Sequence, residues 1–82
     1  MILTDIYVPA LNETYDFLLD ETVPVYMIID EIVEVLQKKS GGTSDDYDAV
    51  YVLCSPDRGE ILDRSLTLQE CGVKNGSRLF IV

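Results

Sequence analysis

The sequence predicts an α+β fold: a mixed sheet of four or five strands covered on one face by a single helix. Three observations carry that expectation. Residues 2 to 8 and 15 to 20 alternate apolar and polar in the period-2 rhythm of half-buried strands. From Val25 the apolar residues Ile28, Ile29, Ile32, Val33, Val35 and Leu36 recur at the three- and four-residue spacing of one helical face. After the helix, two further strand patterns, 49 to 54 and 79 to 82, flank strong turn chemistry.

In the first strand Ile2, Thr4, Ile6 and Val8 share one face, and Leu3, Asp5 and Tyr7 the other. Pro9 to Thr14 breaks the pattern with Pro, Asn and polar residues. It resumes at Tyr15-Asp16-Phe17-Leu18-Leu19-Asp20 with Tyr15, Phe17 and Leu19 facing inward, which predicts a hairpin. Pro24 pre-sets φ for a first helical turn. Asp30, Glu31 and Glu34 fall opposite the apolar face, Lys38 and Lys39 sit where the helix dipole favours cations, and Ser40-Gly41-Gly42 closes the helix.

Gly41 to Asp48 reads as a polar, acidic loop returning the chain to the sheet. Ala49 to Cys54 is a β-branched, apolar strand. Ser55-Pro56-Asp57-Arg58-Gly59 is a turn, and Glu60-Ile61-Leu62 begins a short return strand. Ser65 to Gly72 is expected to form a short helical turn that Ser65 caps and Gly72 ends in the left-handed conformation. Asn75-Gly76 is a tight turn before a last strand in which Leu79 and Ile81 alternate with Phe80 and Val82.

The 82 residues are expected to form one domain spanning 1–82, with no internal repeat. Fifteen acidic residues against six basic ones give a net charge of −9, which repels phosphate backbones and anionic headgroups; neither nucleic acid nor a membrane surface is an expected partner. No apolar run approaches the roughly 20 residues that span a bilayer, so no insertion into a membrane is expected. The start Met-Ile-Leu-Thr-Asp has neither the basic nor the apolar region of a signal peptide, which predicts a cytoplasmic chain with reduced Cys54 and Cys71 acting as small hydrophobes.

The chemistry-bearing inventory is short. With no His, a Cys nucleophile has no obvious base and the side chain best poised for proton transfer at neutral pH is missing, so no catalytic residue is assigned and the chain is expected not to be an enzyme. Asp45, Asp46 and Asp48 do not follow the calcium-loop pattern, since Tyr47 and Val50 stand where an oxygen ligand and Gly are required. Two cysteines without His fall short of a zinc tetrad. No phosphate-binding glycine motif occurs, and no metal or cofactor is expected.

Two strands, a helix, two strands, a short turn and a closing strand form the β-grasp order. Leu62-Asp63-Arg64-Ser65-Leu66-Thr67-Leu68, followed by Cys71 to Val82, is similar to the closing third of ubiquitin-like domains. Tyr15-Asp16-Phe17, Val23-Pro24-Val25 and Cys71-Gly72-Val73-Lys74-Asn75-Gly76-Ser77-Arg78-Leu79 resemble the YukD family of bacterial ubiquitin-like proteins. The resemblance covers the whole chain. It departs from the family at Leu18, Asp20-Glu21 and the tyrosine-rich surface positions, which bear on partner detail and not on the fold.

The resemblance implies an accessory role in type VII secretion of WXG-motif substrates, with a cytoplasmic part of the membrane machinery or its FtsK-like ATPase as protein partner. A ubiquitin-like modifier or sulfur carrier is the alternative. It is disfavoured because Val82 falls within the predicted strand, with no flexible Gly-Gly tail. A stand-alone homodimer is the third reading. One helix covers only one sheet face. With Val50, Val52, Leu79 and Ile81 taken to face the helix, Tyr51, Leu53, Phe80 and Val82 face away, joined by Tyr7 and Leu3. These six are the expected protein-binding residues, with self-association or incidental exposure as alternatives for the same patch.

Overall fold

The computed structural model describes residues 1–39 and 51–82. The helix-closing Ser40-Gly41-Gly42, the acidic loop with Asp45, Asp46 and Asp48, and Val50 lie outside the described residues. Strands β1 (Ile2–Val8) and β2 (Glu13–Leu19) form the first hairpin, helix α1 (Val25–Lys39) follows, and β3 (Leu53–Ser55), β4 (Glu60–Ile61) and β5 (Arg78–Ile81) complete the chain. Among the described residues five strands make one sheet in the order β2-β1-β5-β3-β4; β1 and β5 are parallel and the other neighbours antiparallel. Within the described residues this is the mixed sheet and single helix the sequence predicts.

The hairpin register is unbroken from Ile2 opposite Leu19 to Val8 opposite Glu13. Its turn is tightened by bonds from the Leu11 and Asn12 amides to the Val8 and Pro9 carbonyls, with Asn12 in the left-handed region that Asn tolerates better than most residues. Ile6, Val8 and Leu19 thereby join Val25, Ile28, Ile29 and Ile32 of the helix in a core completed by Leu53, Leu62, Leu68, Leu79 and Ile81. The helix residues in that set are spaced three and four apart, so one apolar stripe meets the sheet while Asp30, Glu31 and Glu34 stay exposed.

The first turn of α1 has no intrahelical partners for its leading amides. Here the Val25 amide donates to the Leu66 carbonyl at 2.7 Å and the Tyr26 amide to the Arg64 carbonyl at 3.1 Å. The loop after β4 thus satisfies the helix. That loop also differs from the sequence expectation. No helix forms between Ser65 and Gly72; Ser65 belongs to a separate turn in which its amide and hydroxyl donate to Asp63 Oδ1 at 2.9 and 2.7 Å. The cap is Thr67, whose hydroxyl accepts from the Glu70 amide while Glu70 Oε1 accepts from the Thr67 amide, a reciprocal pair closed by the Cys71 amide on the Thr67 carbonyl. Gly72 ends the turn at φ +78°, as its position predicts.

The other correction concerns β3. Leu53 pairs with Ile81 and Cys54 with Phe80, so Leu53 shares the core face of Ile81 and is fully buried, with Tyr51 packed half-buried against the same core. Leu53 and Tyr51 therefore do not face away from the helix; Val52 and Cys54 do. The cause is parity: a one-residue difference in register exchanges every side chain between faces, and residues 50 to 53 are apolar or aromatic at both parities, so the pattern held no preference.

Candidate protein-docking face

The face of the sheet turned away from α1 is built from rows of cross-strand neighbours. One row crosses all five strands: Thr14 opposes Tyr7, Tyr7 lies beside Phe80, Phe80 opposes Cys54, and Cys54 opposes Ile61. Side chains at paired positions share a face, so Tyr7, Phe80, Cys54 and Ile61 form a continuous apolar band. The Tyr7 and Phe80 rings meet edge to face, with centroids 5.4 Å apart at 62°. Tyr7 is further held by its hydroxyl, which donates to Asn12 Oδ1 at 2.8 Å. Ile61 is 64% exposed and Phe80 37%.

Val82 extends the band. Its amide donates to the Val52 carbonyl at 3.0 Å and its carbonyl accepts from the Val52 amide at 2.8 Å, which sets the two valines side by side on the same face. Leu3 and Leu18, a cross-strand pair and both exposed, form an apolar spot at the other end of the face. Of the six expected binding residues, the structure thus brings Tyr7, Phe80, Val82 and Leu3 to the open face and assigns Tyr51 and Leu53 to the core. Val52, Cys54, Ile61 and Leu18 also belong to the face. Leu18 was readable from the alternation that turns Phe17 and Leu19 inward; Ile61 required the register of a two-residue strand, for which the sequence carries no periodicity.

Between the apolar row and the Leu3–Leu18 pair runs a charged row, Asp16 to Asp5 to Arg78. The two carboxylates are direct cross-strand neighbours. A hydrogen bond between them, together with their like charge, lifts the Asp16 carboxyl above the usual aspartate range. Asp5, Tyr7, Thr14, Arg78 and Phe80 surround a shallow depression of about 300 Å³ between the two rows. The face therefore offers an apolar band beside a charged strip, an arrangement suited to holding a side chain of another protein.

The two cysteine thiols differ in their setting. Cys71 is buried in the core and burial pushes its thiol above the ordinary range, which disfavours the thiolate. Cys54 is partly exposed on the open face. Among the described residues no helix is long and apolar enough to cross a membrane.

The ubiquitin-like domain of EccD5 from Mycobacterium xenopi superimposes with a TM-score of 0.77 at 23% identity, covering 99% of this chain and 91% of that one. The ubiquitin-like domain of the Mycobacterium tuberculosis type VII secretion system protein ECCD1 gives a TM-score of 0.70 at 26% identity, covering 100% and 99%. A chain of the MycP5-free ESX-5 inner membrane complex matches with a TM-score of 0.77 at 23% identity, but 99% of this chain spans only 20% of that one. No curated protein sequence matches. The family model described as "WXG100 protein secretion system (Wss), protein YukD" matches residues 3–81, and with the ubiquitin-like fold in place the chain belongs to the YukD family of type VII secretion.

Proposed function

We propose that this chain is a non-catalytic, cytoplasmic adaptor of a type VII secretion system that binds a component of the membrane machinery, or its FtsK-like ATPase, non-covalently through the open sheet face. The row Tyr7–Phe80–Cys54–Ile61 carries this reading: four strands of a regular scaffold hold aromatic and aliphatic groups in one exposed band, beside charges that can fix orientation. A structural neighbour that is part of an inner membrane complex supports the setting.

The test is co-purification of the tagged chain with the secretion ATPase and membrane proteins from cells that carry a WXG-motif system. Phe80→Asp and Ile61→Asp place a charge in the band without emptying the core. Each should reduce recovery at least tenfold, about 1.4 kcal/mol or more, within the range of hot-spot substitutions, while the thermal midpoint stays near that of the parent. Undiminished recovery with both variants would exclude the face.

A further inference from the structure

The outer edge of β2 is a second surface, independent of the open face. β2 is an edge strand of seven residues whose register with β1 has no bulge, and its sequence Glu-Thr-Tyr-Asp-Phe-Leu-Leu contains no Pro, Lys or Arg. Bulges, Pro and cationic side chains are among the usual devices that protect an edge from pairing, and the charges β2 does carry, Glu13 and Asp16, are both acidic. The opposite edge, β4, is protected by being only two residues long.

The direction of the backbone groups on β2 follows from the bonds of β1. The Leu3 carbonyl accepts from the Gly76 amide and the Asp5 amide donates to the Ser77 carbonyl, so Leu3 and Asp5 address the β5 side. Backbone direction alternates along a strand, so Ile2, Thr4, Ile6 and Val8 address β2. Their partners Leu19, Phe17, Tyr15 and Glu13 are bonded inward, which leaves the amides and carbonyls of Thr14, Asp16 and Leu18 directed outward. Among the described residues β2 pairs with β1 alone.

Charge and side-chain parity define what fits. The Asp16 side chain lies on the open face beside Asp5, a like-charge contact that a cation would relieve. On the helix side Tyr15 and Phe17 are half-buried with ring centroids 6.5 Å apart, leaving apolar surface at the edge. A second copy is a poor occupant: antiparallel pairing centred on Asp16 would oppose two Asp16 side chains and join two chains of net charge −9.

We propose that β2 receives an extended segment of a partner protein by strand addition, a segment in which Lys or Arg alternates with aliphatic residues. Its cations lie beside Asp16 and its aliphatic side chains beside Tyr15 and Phe17, while the outward groups of Thr14, Asp16 and Leu18 supply the backbone hydrogen bonds.

The probe is the capped peptide Lys-Val-Lys-Val-Lys-Val-Lys, titrated into the isotope-labelled full chain at physiological salt and followed by amide chemical shifts. Its fully N-methylated form keeps every side chain and charge and removes the backbone donors. The plain peptide should bind saturably, shift Thr14, Asp16 and Leu18 most, and exceed the methylated form at least ~10-fold in affinity, since strand addition draws its affinity from main-chain bonds. Asp16→Lys should weaken it by a similar factor, with Thr14→Lys on the same edge and face as a second variant. Equal affinity for the methylated peptide, shifts centred on Phe80 and Cys54, or unchanged binding to both Lys variants would overturn the proposal.

Discussion

The contact of Asp5 with Asp16 has a definite signature against pH. The Asp16 carboxyl titrates above its unfolded value, so its contribution to stability is complete when it is protonated and is lost as pH rises through its folded pKa. Asp16→Asn removes the repulsion. The variant should melt higher than the parent near pH 7, and the difference should shrink towards pH 3 as the Asp16 carboxyl takes up its proton. Thermal melts across that range would show it; a difference that grows on acidification would contradict the assignment.

Asp20 and Asp63 behave oppositely. Each accepts from an amide and a hydroxyl two residues on, Thr22 and Ser65 respectively, with the side-chain bond the larger influence, and each carboxyl is held below the usual range. Their stabilisation is present above the unfolded pKa and is lost as pH falls through the folded one. Gly72 presents a different constraint: φ +78° disfavours any side chain, and a Cβ there would run into the Arg58 guanidinium. Because that guanidinium can swing aside, the backbone term dominates, and Gly72→Ala should destabilise the fold by about 1 kcal/mol in denaturant unfolding.

At the level of elements, the reciprocal Thr67–Glu70 pair makes a compact turn without a helix, and Thr67→Ala should lower stability by roughly 1 kcal/mol through the lost cap. β3 is anchored by Leu53 deep in the core. Leu53→Ala should therefore cost about 3 kcal/mol, as for other large-to-small changes at buried sites, whereas Cys54→Ala on the open face should change the unfolding free energy little. The same strand marks how far the sequence could be read. The first hairpin and α1 were legible because each shows one period over many residues, and Gly72 and Gly76 announced their turns. β3 was not, because its assigned length is three residues and its neighbours are apolar on both sides. Four of the six expected face residues survive since β1 and β5 alternate cleanly; Tyr51 and Leu53 do not, for want of any such contrast.

Over the whole molecule the dominant property is charge. Fifteen acidic side chains on so small a body repel one another. Raising ionic strength from about 0.01 M to 0.15 M shortens the screening length from about 30 to 8 Å. The midpoint of thermal unfolding should rise over that interval, while capture of a basic segment at β2 should weaken. Opposite responses to one variable separate self-repulsion from attraction to a partner.

The backbone bonds that the 64–66 loop makes to the start of α1 tie two distant stretches of chain into one unit. In most helices the leading amides exchange with solvent hydrogen first, because they open without disturbing anything else. Here the Val25 and Tyr26 amides are held by Leu66 and Arg64. Their release requires the loop that also carries Leu62 and Leu68 into the core. Their protection should therefore approach that of Ile28 and Ile32, so that the helix start reports unfolding of the entire domain.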